Sequence, residues 1–174
     1  MMKFDGHIYL IGFMGVGKTS TSHRLSNKLG VEELDTDAMI VEQEGKNIPE
    51  IFADSGEEYF RQVETGILDK LSGMAPCVIS CGGGLAMREI NVKKMKESGI
   101  VVYLTAEPET IYEHVKDSTN RPLLNGNMNI PYIRGLMEER APRYGAAADL
   151  IVKTDGLLPA EVAEKIITEI ENQA

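Results

Sequence analysis

The sequence predicts a three-layer α/β domain, a parallel sheet with helices on both faces. Short apolar runs alternate with amphipathic stretches along the chain, as a parallel sheet requires, because each crossover needs a helix. The apolar runs are near-continuous, like strands covered on both faces. At 174 residues, with no linker or internal repeat, the chain suits a single domain over residues 1–174.

The elements follow in order. Residues 8–11 (Ile-Tyr-Leu-Ile) read as a buried strand, and 19–29 as a helix that Gly30 ends. Residues 33–35 form a short second strand, 78–79 mark a third, 100–104 a fourth and 150–152 a fifth. A helix over 55–71 carries Tyr59, Val63, Ile67 and Leu71 at four-residue spacing. The last helix takes its apolar stripe from Val162, Ile166, Ile167 and Ile170. Residues 116–129 break the pattern: they are polar, hold Asn120, Asn125, Asn127 and Asn129, and lack a core-facing stripe. A loop of that length in a compact domain is usually functional, and we read it as a mobile lid.

Composition narrows the function. The hydrophobic fraction is 43%, ordinary for a globular protein. Lys and Arg number 18 against 27 Asp and Glu, a formal net charge of -9. That balance argues against nucleic acid as a partner, but an anionic small molecule needs only a local basic pocket. Residues 1–7 hold no apolar stretch of signal-peptide length, and no run approaches the ~20 apolar residues of a membrane span. A cytoplasmic protein with no membrane partner is expected. Cys77 and Cys81 read as reduced, buried residues on or beside a strand, since His7, His23 and His114 are scattered and complete no zinc site with them.

Gly12-Phe-Met-Gly15-Val-Gly17-Lys18-Thr19 matches G-x-x-x-x-G-K-[ST] without a mismatch, between a predicted strand and a predicted helix. The glycines let the backbone curl so that several N–H groups face one anion, and the helix N-terminus adds partial positive charge. Lys18 can reach the β- and γ-phosphates, and the Thr19 hydroxyl can hold Mg²⁺. A guanine-reading Asn-Lys-x-Asp is absent: the one Asn-Lys, Asn27-Lys28, runs on into Leu29-Gly30. ATP is therefore favoured.

Candidate acceptor residues lie further on. Asp35-Thr36-Asp37 ends the second strand, and residues i and i+2 of a strand share a face, so both carboxylates can face one cleft. One can orient Mg²⁺ through water and the other can accept a proton from an attacking hydroxyl. Alternatively, Asp37 caps the helix that starts at Ala38. Gly82-Gly83-Gly84, after the third strand, permits close approach of backbone to a ligand, or is a plain tight turn. Arg61, Arg121 and Arg140 are candidate anion ligands, with Arg140 on a helix expected to stop before Pro142. Charge alone does not separate them from Arg134 and Arg143, and a single arginine is more often a solvated surface residue.

In combination these residues resemble the shikimate kinase family. The resemblance covers essentially the whole chain and rests on an ordered series: Gly-Val-Gly-Lys-Thr at 15–19, Asp-Thr-Asp at 35–37, Gly-Glu-x-x-Phe-Arg-x-x-Glu at 56–64, Gly-Gly-Gly at 82–84, Arg-Pro-Leu-Leu at 121–124 and Glu-Arg-x-Pro-x-Tyr at 139–144. It implies a phosphate-loop NTPase fold of the nucleoside-monophosphate-kinase type, with strand order 2-3-1-4-5. It implies ATP-dependent phosphorylation of the shikimate 3-hydroxyl, a step towards chorismate and the aromatic amino acids. The acceptor region would span about 36–64 and the lid about 116–129. ATP would lie on Gly15, Val16, Gly17, Lys18, Thr19 and Ser20, with Arg121 closing over it and sharing catalysis with Lys18 and Asp37. Asp37 would bind the acceptor hydroxyls and serve as base. Thr19, and Asp35 through water, would place Mg²⁺. Arg61 and Arg140 would hold the shikimate carboxylate, and the triplet Gly82, Gly83 and Gly84 would meet substrate, with Gly83 through its backbone. A monomer is expected.

Arg143 departs from the family, which often has leucine there, and adds positive charge near Arg140. Adenine contacts near Thr154 and Asp155 are weakly marked. Two other readings stand beside this one. A kinase for another polyol acid such as gluconate would share the carboxylate and hydroxyls, but the glycine triplet and Arg-Pro-Leu-Leu favour shikimate. A nucleotide-binding regulatory module would be favoured by a lost lysine or acidic pair, yet Lys18, Asp35 and Asp37 are all present.

The substitution Lys18→Ala is expected to remove phosphoryl transfer to any acceptor, because the γ-phosphate loses its charge partner. Turnover near that of the unaltered protein in an ADP-release assay would reject the role.

Overall fold

A computed structural model describes residues 5–117, 124 and 126–173. Five strands, β1 (His7–Ile11), β2 (Glu32–Asp35), β3 (Cys77–Ser80), β4 (Gly99–Thr105) and β5 (Leu150–Lys153), form one parallel sheet in the order β2-β3-β1-β4-β5. The helices are α1 (Lys18–Leu29), α2 (Thr36–Glu44), α3 (Ile48–Ser72), α4 (Glu89–Ser98), α5 (Pro108–Val115), α6 (Ile130–Ala147) and α7 (Pro159–Gln173). The fold class and strand order agree with the expectation from the sequence.

The alternation of side chains along each central strand builds two apolar layers. Ile8 and Leu10 of β1, with Val102 and Leu104 of β4, pack against Leu25, Ile111, Val162 and Ile166 on one face. Tyr9, Ile11, Ile79 and Val101 pack against Ile40, Ile67, Leu71 and Met95 on the other. Both faces of β1 are therefore dry, which explains why its sequence reads as a continuous apolar run. Burying such a Leu or Ile side chain contributes about 1.5–3 kcal/mol.

Three local expectations are corrected. First, α6 runs through Pro142 to Ala147 instead of stopping before the proline. Pro142 removes one backbone bond, but Tyr144 and Ala147 beyond it are 1% and 0% exposed, and their burial holds the last turn in helical geometry. Second, Tyr59 does not join the apolar stripe of α3. It is 39% exposed and donates its hydroxyl to Glu44, while Phe60 is buried in its place. The cause is the spacing itself: four residues overshoot the 3.6-residue turn by about 40°, so over three steps Tyr59 drifts about 120° from Leu71 and Phe60 takes the buried side. Third, Asp37 is not the last residue of β2. The strand ends at Asp35, which caps α2 by accepting the Ala38 N–H at 3.0 Å, and Asp37 lies in the first helical turn.

Cys77 and Cys81 are both free and buried, and Cys77 bonds through its N–H to His7 Nδ1 at 3.2 Å. Among the described residues no helix is long and apolar enough to cross a membrane.

Candidate active site

A cleft of ≈ 470 Å³ opens at the carboxyl ends of β1 and β3. Its floor is the loop between β1 and α1. Gly12, Gly15 and Gly17 have φ values of 148°, 81° and 100°, a conformation that L side chains rarely adopt. A Cβ on Gly12 would lie 2.5 Å from the Leu104 carbonyl oxygen, so that position is closed by space as well. Gly17 starts α1 without a capping side chain, and no acid stands in the first turn. The first N–H groups of α1 therefore have no side-chain acceptor, the arrangement that binds an anion. Lys18 folds over the loop and donates to the Gly12 and Phe13 carbonyls at 2.5 and 3.2 Å. Gly15, Val16, Gly17, Lys18, Thr19 and Ser20 all line the cleft.

Asp35 and Asp37 line it too, although they reach it from a strand end and a helix turn rather than from one strand face. Thr36 between them is fully buried, and its hydroxyl accepts the Gly82 N–H at 2.9 Å. That bond ties the end of β2 to the glycine turn after β3. Burial, and then the Asp35 charge, raise the Asp37 pKa above the usual aspartate range, with Lys18 and Arg61 pulling it back. A carboxylate so raised is a better proton acceptor near neutral pH.

The glycine triplet is packed by three side chains. A Cβ on Gly82 would lie 2.6 Å from Asp37 Oδ1; on Gly83, 3.0 Å from Arg140 Nη1; on Gly84, 2.5 Å from Arg61 Nη1. Each glycine thus admits one of the polar groups singled out in the sequence. Gly82, Gly83 and Asp37 line the cleft, while Gly84, Arg61 and Arg140 stand beside it. Arg61 is held by Glu64 at 2.7 Å and Glu57 at 3.3 Å, and Glu64 is itself buried. Arg140 lies 6.0 Å from the Phe13 ring centroid, and Tyr144 of the same helix donates its hydroxyl to the Gly83 carbonyl at 2.6 Å. Arg134 and Arg143 are engaged elsewhere: Arg134 pairs with Glu109 at 2.8 Å, and Arg143 donates to the Met87 carbonyl at 2.5 Å. Arg121 lies outside the described residues, as does part of the 116–129 segment read as a lid.

The opposite end of the cleft is made by His114, Thr154, Leu157, Pro159 and Val162. Sequence reasoning marked only Thr154 among these. It also missed Thr36 and Tyr144, whose signals were their places inside two of the motifs. Among the described residues no group of three or more His, Cys, Asp or Glu could hold a metal ion. The donors present, the Thr19 hydroxyl and the Asp35 and Asp37 carboxylates, fit Mg²⁺ brought in with phosphate, because that ion takes one or two carboxylates and completes its shell with phosphate oxygens and water.

Comparison with known proteins points to one family. The sequence profile of the shikimate kinase family (SKI) matches residues 14–171. A shikimate kinase from Dehalococcoides mccartyi is 41% identical over an alignment of 174 positions that covers 98% of this chain and 98% of that one. The solved structure of a shikimate kinase from Acinetobacter baumannii in complex with shikimate matches with a TM-score of 0.89 and 35% identity, covering 97% of this chain and 94% of that one. That of a shikimate kinase from Aquifex aeolicus matches with a TM-score of 0.82 and 39% identity, covering 96% and 97%.

One consequence follows for stability. A raised pKa means that the fold penalises the ionised Asp37 carboxylate. The penalty is absent below the ordinary value, where folded and unfolded chains are both protonated. It grows as pH rises and is complete above the raised value. Asp37→Asn is therefore expected to unfold at a higher temperature than the unaltered protein at neutral pH, with the gain vanishing in acid. Thermal midpoints measured across pH check this; an equal or lower midpoint at neutral pH rejects it.

Proposed function

The chain belongs to the shikimate kinase family, and from that premise we propose that it transfers the γ-phosphoryl group of ATP to the 3-hydroxyl of shikimate, giving shikimate 3-phosphate and ADP. The observation that carries the reading is the convergence of Asp37, Arg140 and Arg61 on Gly82, Gly83 and Gly84, at one end of a cleft whose floor is a phosphate loop. Shikimate offers one carboxylate and three hydroxyls. Guanidinium forks meet a carboxylate, and a carboxylate with backbone groups meets hydroxyls.

The proposed division of work follows the chemistry of each group. The phosphate loop, Lys18 and the first turn of α1 hold the β- and γ-phosphates. Asp37 orients the 3-hydroxyl and takes its proton as the oxygen attacks phosphorus and the bond to ADP breaks. Its raised pKa and its place against Gly82 support that role. Arg61 and Arg140 fix the ring through its carboxylate, and Gly83 meets substrate through its backbone. Mg²⁺, when bound with ATP, neutralises phosphate charge; Thr19, and Asp35 through water, are its proposed holders. Arg121 carries the remaining neutralising charge on the strength of the family resemblance. Transfer then depends mainly on positioning and charge, which the chain supplies without a covalent intermediate. The proposed enzyme is a monomeric, cytoplasmic, single-domain protein.

The reading is tested by ADP release from Mg·ATP with shikimate, quinate, gluconate and AMP supplied separately. Turnover with shikimate alone is expected. Turnover with another acceptor would remove the assignments of Arg61, Arg140 and Gly83, and none with any acceptor from protein that binds ATP would favour a regulatory module.

Arg140→Ala is expected to weaken shikimate binding by roughly 2–5 kcal/mol, the cost of truncating one partner of a buried charge pair, with the KM for ATP little changed. An unaltered shikimate affinity would move the carboxylate site elsewhere.

A further inference from the structure

The two walls of the nucleotide half of the cleft come from strands that are not neighbours. The phosphate loop follows β1, the segment from Thr154 to Pro159 follows β5, and β4 lies between them in the sheet. The element that touches both is α5, which follows β4. At its start, Asp155 reaches over from the far wall: Oδ1 accepts the Glu107 N–H at 3.0 Å and the Thr110 hydroxyl at 2.5 Å. At its end, His114 Nδ1 bonds the Gly15 carbonyl at 2.6 Å. A carbonyl only accepts, so Nδ1 carries the proton. Beside that bond the helix presses on the same glycine. A Cβ on Gly15 would lie 2.5 Å from Val115 Cγ1 and 3.6 Å from Ile111 Cγ2.

We propose that α5 is a strut that sets the separation of the two nucleotide-binding walls, with His114 and Asp155 as its positioning residues. Eight helical residues span about 12 Å, and a helix of that length is stiff compared with the loops it joins. His114 acts through the loop: its bond to Gly15 fixes the peptide that must present N–H groups to phosphate. Asp155 acts through the helix: it replaces a missing cap at the N-terminus, where Glu107 supplies no capping side chain of its own. The walls are joined elsewhere by the β1–β4–β5 ladder beneath them and by α1 packed on α7 through Leu25, Val162 and Ile166, with Lys28 and Glu164 paired at the surface; α5 is the element that holds the loop itself, at Gly15.

The inference rests on the proposed nucleotide site but not on shikimate as acceptor. Calorimetric titration with Mg·ADP tests it, run with thermal midpoints and with separate KM values for ATP and shikimate. His114→Ala and Asp155→Ala are each expected to weaken Mg·ADP about three- to tenfold, the loss of a hydrogen bond, with the KM for shikimate unmoved. His114→Asn is expected to restore affinity, because the asparagine amide N–H stands where Nδ1–H does. The double variant is expected to be little weaker than the weaker single one, since breaking the strut at either end loses the register. Thr110→Val, which removes one Asp155 contact without touching the carboxylate, replaces Asp155→Ala should that variant unfold. Full affinity in His114→Ala, failure of asparagine to rescue, or losses that multiply in the double variant would overturn the strut. Unaltered protein that binds Mg·ADP but does not phosphorylate shikimate would remove the proposed acceptor and leave the strut standing. Protein that does not bind Mg·ADP would remove both.

Discussion

The site depends on a stretch of backbone that has no side chains. Gly82, Gly83 and Gly84 follow the interior strand β3, and Asp37, Arg140 and Arg61 occupy the space where their Cβ atoms would be. None of the three glycines has a positive φ, so the requirement is for space and not for an unusual turn. Three groups from α2, α6 and α3 thereby come within reach of one small molecule. Even alanine at Gly84 would place carbon 2.5 Å from the Arg61 guanidinium, and the arginine would have to leave. The scaffold supports this turn from two sides. Thr36 accepts the Gly82 N–H, and Tyr144 donates to the Gly83 carbonyl, so its backbone polar groups are partly satisfied by buried side chains while no side chain of its own fills the cleft.

That dependence explains which parts of the site were legible in the sequence. The phosphate loop was legible because its function is local: glycines that need positive φ, a lysine and a hydroxyl fall within eight residues. The strands β1 and β3 were legible because burial on both faces leaves no polar alternation, while the edge strands β2 and β5 are partly exposed. The arginines were not separable, because Arg61 and Arg140 differ from Arg134 and Arg143 only in what lies opposite them. Glu109 and the Met87 carbonyl take the latter two, and no pattern along one chain segment encodes that. Thr36 and Tyr144 carry no charge, and their partners are 46 and 61 residues away. The misplaced helix start at Asp37 has a different cause. Asp35 and Asp37 are both good caps, and the choice of Asp35 starts the helix two residues earlier, which turns Asp37 towards Gly82.

Electrostatics in the cleft run against the chain's overall balance. A protein with a net charge of -9 must bind an anionic nucleotide, and in our reading an anionic acceptor as well. It does so by local pairing. Buried Glu64 has its pKa raised by burial and pulled back by Arg61, so the pair is mutually dependent. Taking either partner away would leave an uncompensated charge in a dry setting. Acids are thus used as the support of a cation, Arg61, that stands beside the cleft.

The two arginines are not equivalent within that scheme. Arg61 has Nη1 on Glu64 and Nη2 on Glu57, so two carboxylates fix its plane and offset its charge. Arg140 forms no ion pair among the described residues; its neighbours are the Phe13 ring, Gly83 and the Tyr144 hydroxyl, all neutral. Its charge is therefore offset less, and a bound carboxylate would be its first anionic partner. In the proposed site Arg61 would contribute orientation, because its fork is already held in one geometry before anything binds. Arg140 would contribute attraction, because its Coulomb interaction is not shared among the described residues. A site with two copies of the Arg61 arrangement would be well ordered but weakly attractive, and one with two of the Arg140 arrangement would place like charges together with nothing to hold them.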